Sequence, residues 1–274
     1  MKKKIGIILF TLLLTFTLVA CREPESTAEE RAFAAYTHYL ELIGHDGSGA
    51  WDADFTMDMD VSFMGMSFST TTEGHSIAIV EDENNMIMYV SMITDMGIMG
   101  SIDMVMYMEI VDGLIADMHM SMGGHELSDT DFDKEMINEM TAAADAGNVP
   151  VFELGDIVSV EIEEDGNYTT FNLLLDISAI SNFIEDLFAE QTDEMLAMLG
   201  ADAGFSMSFG DYMPVSLVVY GDDTNPVAMI MSMEMSMVFD GEELAELDGE
   251  EIKINSIIEY RYNAFGDEVV FEGL

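Results

Sequence analysis

The chain has 274 residues, 49% of them hydrophobic, and sets 54 acidic residues against 8 basic ones for a formal net charge of −46. So much apolar content excludes general disorder. So much acid excludes nucleic acid, and anionic lipid headgroups met through a basic patch, as partners.

Taken in order, the first segment is a processing signal rather than structure. Lys2, Lys3 and Lys4 form a basic head, and Ile5–Val19 is an apolar run too short to span a bilayer comfortably. It ends in Leu18-Val19-Ala20-Cys21, which resembles the lipobox of bacterial lipoproteins. The resemblance implies that residues 1–20 are removed and that Cys21 is lipidated. The mature protein would then sit on the extracytoplasmic face of the cell membrane, held by its lipid. An ordinary secretory signal with an incidental cysteine is the alternative. Cys21 is the only cysteine, so no internal disulfide exists. Without residues 1–20, five basic residues face 54 acidic ones, a formal charge of −49. Solubility and mutual repulsion explain such a surface, and attraction of cations or a basic partner is the other reading.

Residues 21–30 read as a lipidated tether, and 31–274 as a single domain. A helix is expected over Ser26–Ile43, capped by Ser26 or Thr27, with Phe33, Tyr36, Leu40 and Ile43 on one stripe. In Trp51–Met64 the odd positions are apolar and most even ones are Asp, the period of a half-buried strand. Gly65 turns the chain. Strands follow at Met66–Thr72 and His75–Glu81 with Glu73-Gly74 as a turn between them, then at Met86–Met92, Met104–Ile110 and Leu114–Met122. Helical spacing returns at Asp129–Ala146. Asp156–Glu163 and Tyr168–Leu175 read as strands, and Ser178–Leu199 as helix. Strands close the chain near Gly204–Phe209, Pro214–Tyr220, Val227–Phe239, Glu251–Tyr262 and Glu268–Phe271. The sum is an α+β fold, a large curved antiparallel sheet with two or three helices packed on it.

The lipobox, the tether, the helix running into TMDMDVSF and the ending from Ile257 to Val270 resemble the LolA/LppX-like lipoproteins, in particular a Met-rich, poorly characterised Gram-positive branch. The resemblance implies an open half-barrel with helices on its concave face, carrying acyl chains, lipoproteins or glycolipids. It supplies no catalytic residues.

Methionine, 27 residues in all, takes the alternating positions where Leu, Ile or Val would be usual. A thioether is flexible and polarizable and repacks around irregular apolar shapes. Phe55, Met57, Met59, Met88, Met106, Met120, Met231, Met233 and Met235 are therefore candidates to line an adaptable apolar cavity. Plain core beneath the helices is the competing reading, and both need that face buried. Met118-His119-Met120-Ser121-Met122-Gly123-Gly124-His125 gathers soft ligands suited to Cu(I), with His119, Met120, Met122 and His125 as weak candidates. Strand alternation sends His119 to the far face, and two surface histidines at a strand end explain the segment without metal. Asp129-Thr130-Asp131-Phe132-Asp133 begins like a calcium loop but has Lys134 in sixth place and Met140 in twelfth, so calcium is rejected. No G-x-S-x-G, H-E-x-x-H or P-loop occurs. The expectation is a non-enzymatic binding protein, without a cofactor, holding a lipid or acyl chain. The alternative is a structural or adhesive acidic surface lipoprotein.

Overall fold

A computed structural model describes residues 27–44, 48–82, 84–97, 100–127, 154–178, 181, 203–221, 225–241 and 251–271. Helix α1 spans Ala28–Leu42. Its N-terminus carries a capping box: Thr27 Oγ1 accepts from the Glu30 amide, and the Glu30 carboxylate accepts from the Thr27 amide at 2.8 Å. Phe33, Tyr36, Leu40 and Ile43 are all buried, as the spacing predicts.

Among the described residues, twelve antiparallel strands form one open sheet: β1 (Gly49–Phe63), β2 (Met66–Asp82), β3 (Asn85–Asp95), β4 (Ser101–Val111), β5 (Leu114–Met122), β6 (His125–Leu127), β7 (Ile157–Asp165), β8 (Tyr168–Asp176), β9 (Ala203–Phe209), β10 (Tyr212–Tyr220), β11 (Asn225–Gly241) and β12 (Glu251–Phe265). The order across the sheet is β6-β5-β4-β3-β2-β1-β12-β11-β10-β8-β7. β9 pairs with the C-terminal half of β11, whose N-terminal half pairs with β10. The first half of the chain thus builds one wing and the second half the other. The two meet where β1 pairs with β12, from Trp51↔Phe265 to Phe63↔Ile252.

Tight turns fix the register. Phe63 pairs with Met66 across Met64-Gly65, and Val111 with Leu114 across Asp112-Gly113. All four turn residues have positive φ, the backbone of a two-residue turn that follows strand twist.

The helix lies across the strands. Near its start, Arg31 pairs with Glu164 of β7 at 3.5 Å and its guanidinium sits over the Phe171 ring of β8. Just beyond its end, Gly44 abuts Gly49 of β1 and Val80 of β2. From Arg31 to Gly44 the chain rises about 20 Å, less than the about 24 Å of the five strand spacings from β8 to β2. The long Arg31 side chain over Phe171 and the contact of Gly44 with Val80 supply the rest of the reach.

Several expectations need correction. The fold is mostly β: α1 is the one α-helix described along its length, not one of two or three, and beyond it only Ser178 and Ser181 among the described residues are α-helical. Alternation persists through strands as long as 17 residues, which commits most of the described residues to sheet. The expected helices at Asp129–Ala146 and Ser178–Leu199 fall outside the described residues, apart from Ser178 and Ser181. Glu73-Gly74 is not a turn but the middle of β2. A β-carbon on Gly74 would come within 2.4 Å of the Phe55 ring, so the glycine gives that ring its seat. Glu268–Phe271 is not a strand. A short 3-10 turn at Gly266–Glu268 leads the chain out to the far face, where Phe271 meets Tyr89 and Tyr107 at 5.9 and 5.7 Å between centroids.

Candidate ligand-binding face

Direct cross-strand partners share a face of the sheet, so the register locates every candidate side chain. Phe55 pairs with Tyr260, and Tyr260 with Met229. Met57 pairs with Ile258, and Ile258 with Met231; Met59 pairs with Ser256, and Ser256 with Met233. Val61, Ile254 and Met235 form the next row. On the other wing, Trp51, Ala78, Met88, Met108 and Met118 make one row, and Ala53, Ser76, Val90, Met106 and Met120 another. All nine candidate residues therefore lie on one continuous face, the one that carries α1 and the core. Phe55, Met88 and Met231 are buried in the core; Met57, Met59, Met106, Met120, Met233 and Met235 are half-buried.

That face has two methionine banks with a low strip between them. Three rows on β3, β4 and β5 hold eight methionines and one valine: Met88-Met108-Met118, Val90-Met106-Met120 and Met92-Met104-Met122. The second bank is Met57, Met59, Met231, Met233, Met235 and Met237 on β1 and β11. The strip is β2, whose positions on this face are Thr70, Thr72, Gly74, Ser76 and Ala78. These residues escape a search for large apolar side chains. The available signal was their small size at alternate positions of a strand flanked by methionine. The two most deeply buried of its hydroxyls are paired: Thr72 and Thr94 share a hydroxyl bond of 2.9 Å, and Ser76 Oγ donates to the Ala53 carbonyl.

At the α1 end the face is aromatic. Tyr260 lies 6.5 Å from Trp51 edge to face and 5.7 Å from Phe55, and Tyr262 lies 4.8 Å from Phe265. The Tyr39 and Tyr262 hydroxyls share a hydrogen bond of 2.7 Å. Burial raises the pKa of Tyr36, Tyr39, Tyr260 and Tyr262 above the ordinary phenol value.

The opposite face is acidic but orderly. Asp58 accepts from Thr71 Oγ1 at 2.7 Å, and Asp60 accepts from Ser69 Oγ. Asp54 meets His75 Nδ1 at 3.0 Å, and Asn263 donates to Asp52 at 2.9 Å. His119 is on this face too, beside Tyr107 and 3.3 Å from Asp117. Met120, Met122 and His125 are on the methionine face. The metal candidates are thus divided as alternation predicts. Among the described residues no group of three or more His, Cys, Asp or Glu is placed to hold a metal ion. Cys21 lies outside the described residues, and no helix among them is long and apolar enough to cross a membrane.

No protein-family model matches the sequence, and no curated protein matches it by sequence. Solved structures with distant structural similarity include the ywiB protein from Bacillus subtilis (8% identity, TM-score 0.25, covering 78% of this chain and 94% of that one). A DUF1329 family protein from Desulfovibrio piger is similar at 11% identity and TM-score 0.29, over 85% and 94% of the two chains. A putative outer membrane lipoprotein-sorting protein domain from Vibrio parahaemolyticus is similar at 10% identity and TM-score 0.24, over 90% and 96%.

Proposed function

We propose that this protein is a non-enzymatic, lipid-anchored binding protein of the cell envelope that holds an apolar ligand against its methionine face. One observation carries the reading: nine methionine and aromatic side chains, dispersed over the sequence, share one face, and six of them are only half-buried. In this reading the α1-bearing side is the concave side of the sheet, and acyl chains of Cys21 hold the domain at the membrane. Two chains there give stable anchoring where one is marginal.

The ligand class is an acyl chain or comparable lipid. Each methylene removed from water contributes about 0.8 kcal/mol, and thioethers adjust to irregular chains. Affinity then scales with chain length and depends little on headgroup, because the methionine face offers few polar groups to read one.

The test is lipid extraction and mass spectrometry on the full chain purified from membranes. A roughly stoichiometric lipid that is not covalently attached is expected on mild purification. Met59→Asp with Met233→Asp should abolish it, whereas Ser67→Asp on the opposite face should not. A protein that carries no lipid, or the same lipid in all three forms, removes the proposal. The first of those outcomes leaves a structural or adhesive acidic lipoprotein.

A further inference from the structure

We propose a soft-cation site on the methionine face at the β6 edge, built from Met104, Met122 and His125 and suited to a monovalent ion of the Cu(I) class. Register carries the argument. Met92 of β3 pairs with Met104 of β4, Met104 with Met122 of β5, and Met122 with His125 of β6. Direct cross-strand partners share a face with β-carbons about 5 Å apart. Three thioethers and an imidazole therefore stand in one row, side by side on four consecutive strands.

The hairpin makes this arrangement specific. Met122 and His125 flank Gly123-Gly124, whose φ values of 58° and 77° give a two-residue turn. A turn that short leaves no register freedom, so His125 must stand opposite Met122. The Gly123 amide also donates to the Asp103 carbonyl at 2.9 Å, tying the turn to β4. Met104 is half-buried, while Met122 and His125 are exposed, so an ion can enter from solvent. The whole row spans about 14 Å, three strand spacings, which is too wide for one ion. Three adjacent members, Met104, Met122 and His125, suffice for a three-coordinate soft ion. Met120, two residues along β5 on the same side, stands next to them.

The donor set selects the ion. Thioether and imidazole favour Cu(I) and its closed-shell analogue Ag(I) over Ca²⁺ or Mg²⁺, which take oxygen ligands. Apolar packing alone does not call for sulfur here: β-branched residues fit a strand better than Met, and Met122 is 47% exposed. His119 takes no part, because it projects from the other side of β5. The site shares the methionine face with the proposed lipid but uses Met104, Met122 and His125, none of them among the nine lining candidates, and depends on sulfur rather than on apolar area.

The test is Ag(I) titration of the full chain in chloride-free buffer with excess Ca²⁺ and Mg²⁺, followed by calorimetry and by the ¹³C-methyl resonances of methionine. About one equivalent of Ag(I) should bind, shifting the Met104 and Met122 methyl signals. Met104→Leu with Met122→Leu keeps the volume and removes the sulfur, and should weaken binding about tenfold or more. His125→Ala on the exposed hairpin should do the same, while His119→Ala should leave binding as it is. Displacement of the ion by Ca²⁺, or equal affinity in wild-type, Met104→Leu/Met122→Leu and His125→Ala proteins, overturns the proposal. So does a loss caused by His119→Ala equal to that caused by His125→Ala.

Discussion

The central strands β1, β12 and β11 have two unlike ends. At one end Trp51, Phe55, Tyr260, Tyr262 and Met229 lie near or beneath α1, and their rings interlock. At the other end Met57, Met59, Met233, Met235 and Met237 occupy the same face and are half-buried. The alternation in sequence is identical at both ends. What differs is stiffness: aromatic rings with two rotatable bonds lock against a helix, while thioethers with three stay adaptable. The outer side differs as well. Asp52 and Asp54 meet Asn263 and His75, whereas Asp58 and Asp60 accept from the hydroxyls of Thr71 and Ser69.

Alkali should expose the contrast most strongly. Tyr36, Tyr39, Tyr260 and Tyr262 hold their protons more tightly when folded, chiefly because burial disfavours the phenolate. Above a pH of about 10 the folded chain therefore binds more protons than the unfolded one, and stability falls as pH rises; below that value these groups contribute no pH dependence. A titration followed at 295 nm should show these phenols ionising together with loss of the β signal. Smooth ionisation of all nine tyrosines without unfolding would mean that the aromatic end is not packed as described.

Truncation comes next. Phe55→Ala should cost about 3–5 kcal/mol in urea denaturation, whereas Met235→Ala should cost under about 1.5 kcal/mol, because a half-buried site loses less burial and collapses more easily. Equal losses would erase the distinction between the ends. Gly74→Ala is smaller but sharper. It pushes a methyl group into the Phe55 ring and should cost about 1–3 kcal/mol by overpacking. Combined with Phe55→Ala, part of that cost should vanish, since the ring is gone while the Ser91 carbonyl, 2.7 Å from the new methyl, remains.

This seat is also where the sequence is hardest to read. Gly74 follows Glu73 and looks like a turn, and only the three-dimensional register shows an aromatic ring from the neighbouring strand above it. Period-2 alternation was enough to place β1, β5 and β11 within two or three residues at each end. It also put all nine candidate residues on one face and His119 on the other. Pairing order was not readable in the same way. The β1–β12 contact joins segments about 200 residues apart, and no local pattern encodes it. The three-residue β6 was missed because it is too short to show a period. Its importance comes from where the Gly123-Gly124 turn sets His125, and that is a tertiary fact.

The smallest expected effect concerns the outer side. Asp58 and Thr71 are direct cross-strand partners at the methionine end, and the hydroxyl separates one carboxylate from the next strand. Thr71→Asp replaces that donor with a like charge and should cost about 0.2–1 kcal/mol. The residue is exposed, so the loss should shrink as salt is raised toward 1 M, where screening reaches only about 3 Å. A stability difference that does not change with salt would show that the hydroxyl matters through packing or backbone geometry. A loss that disappears with salt would place the row of hydroxyls on β2 among the features that let so acidic a sheet stay folded, independent of what its other face holds.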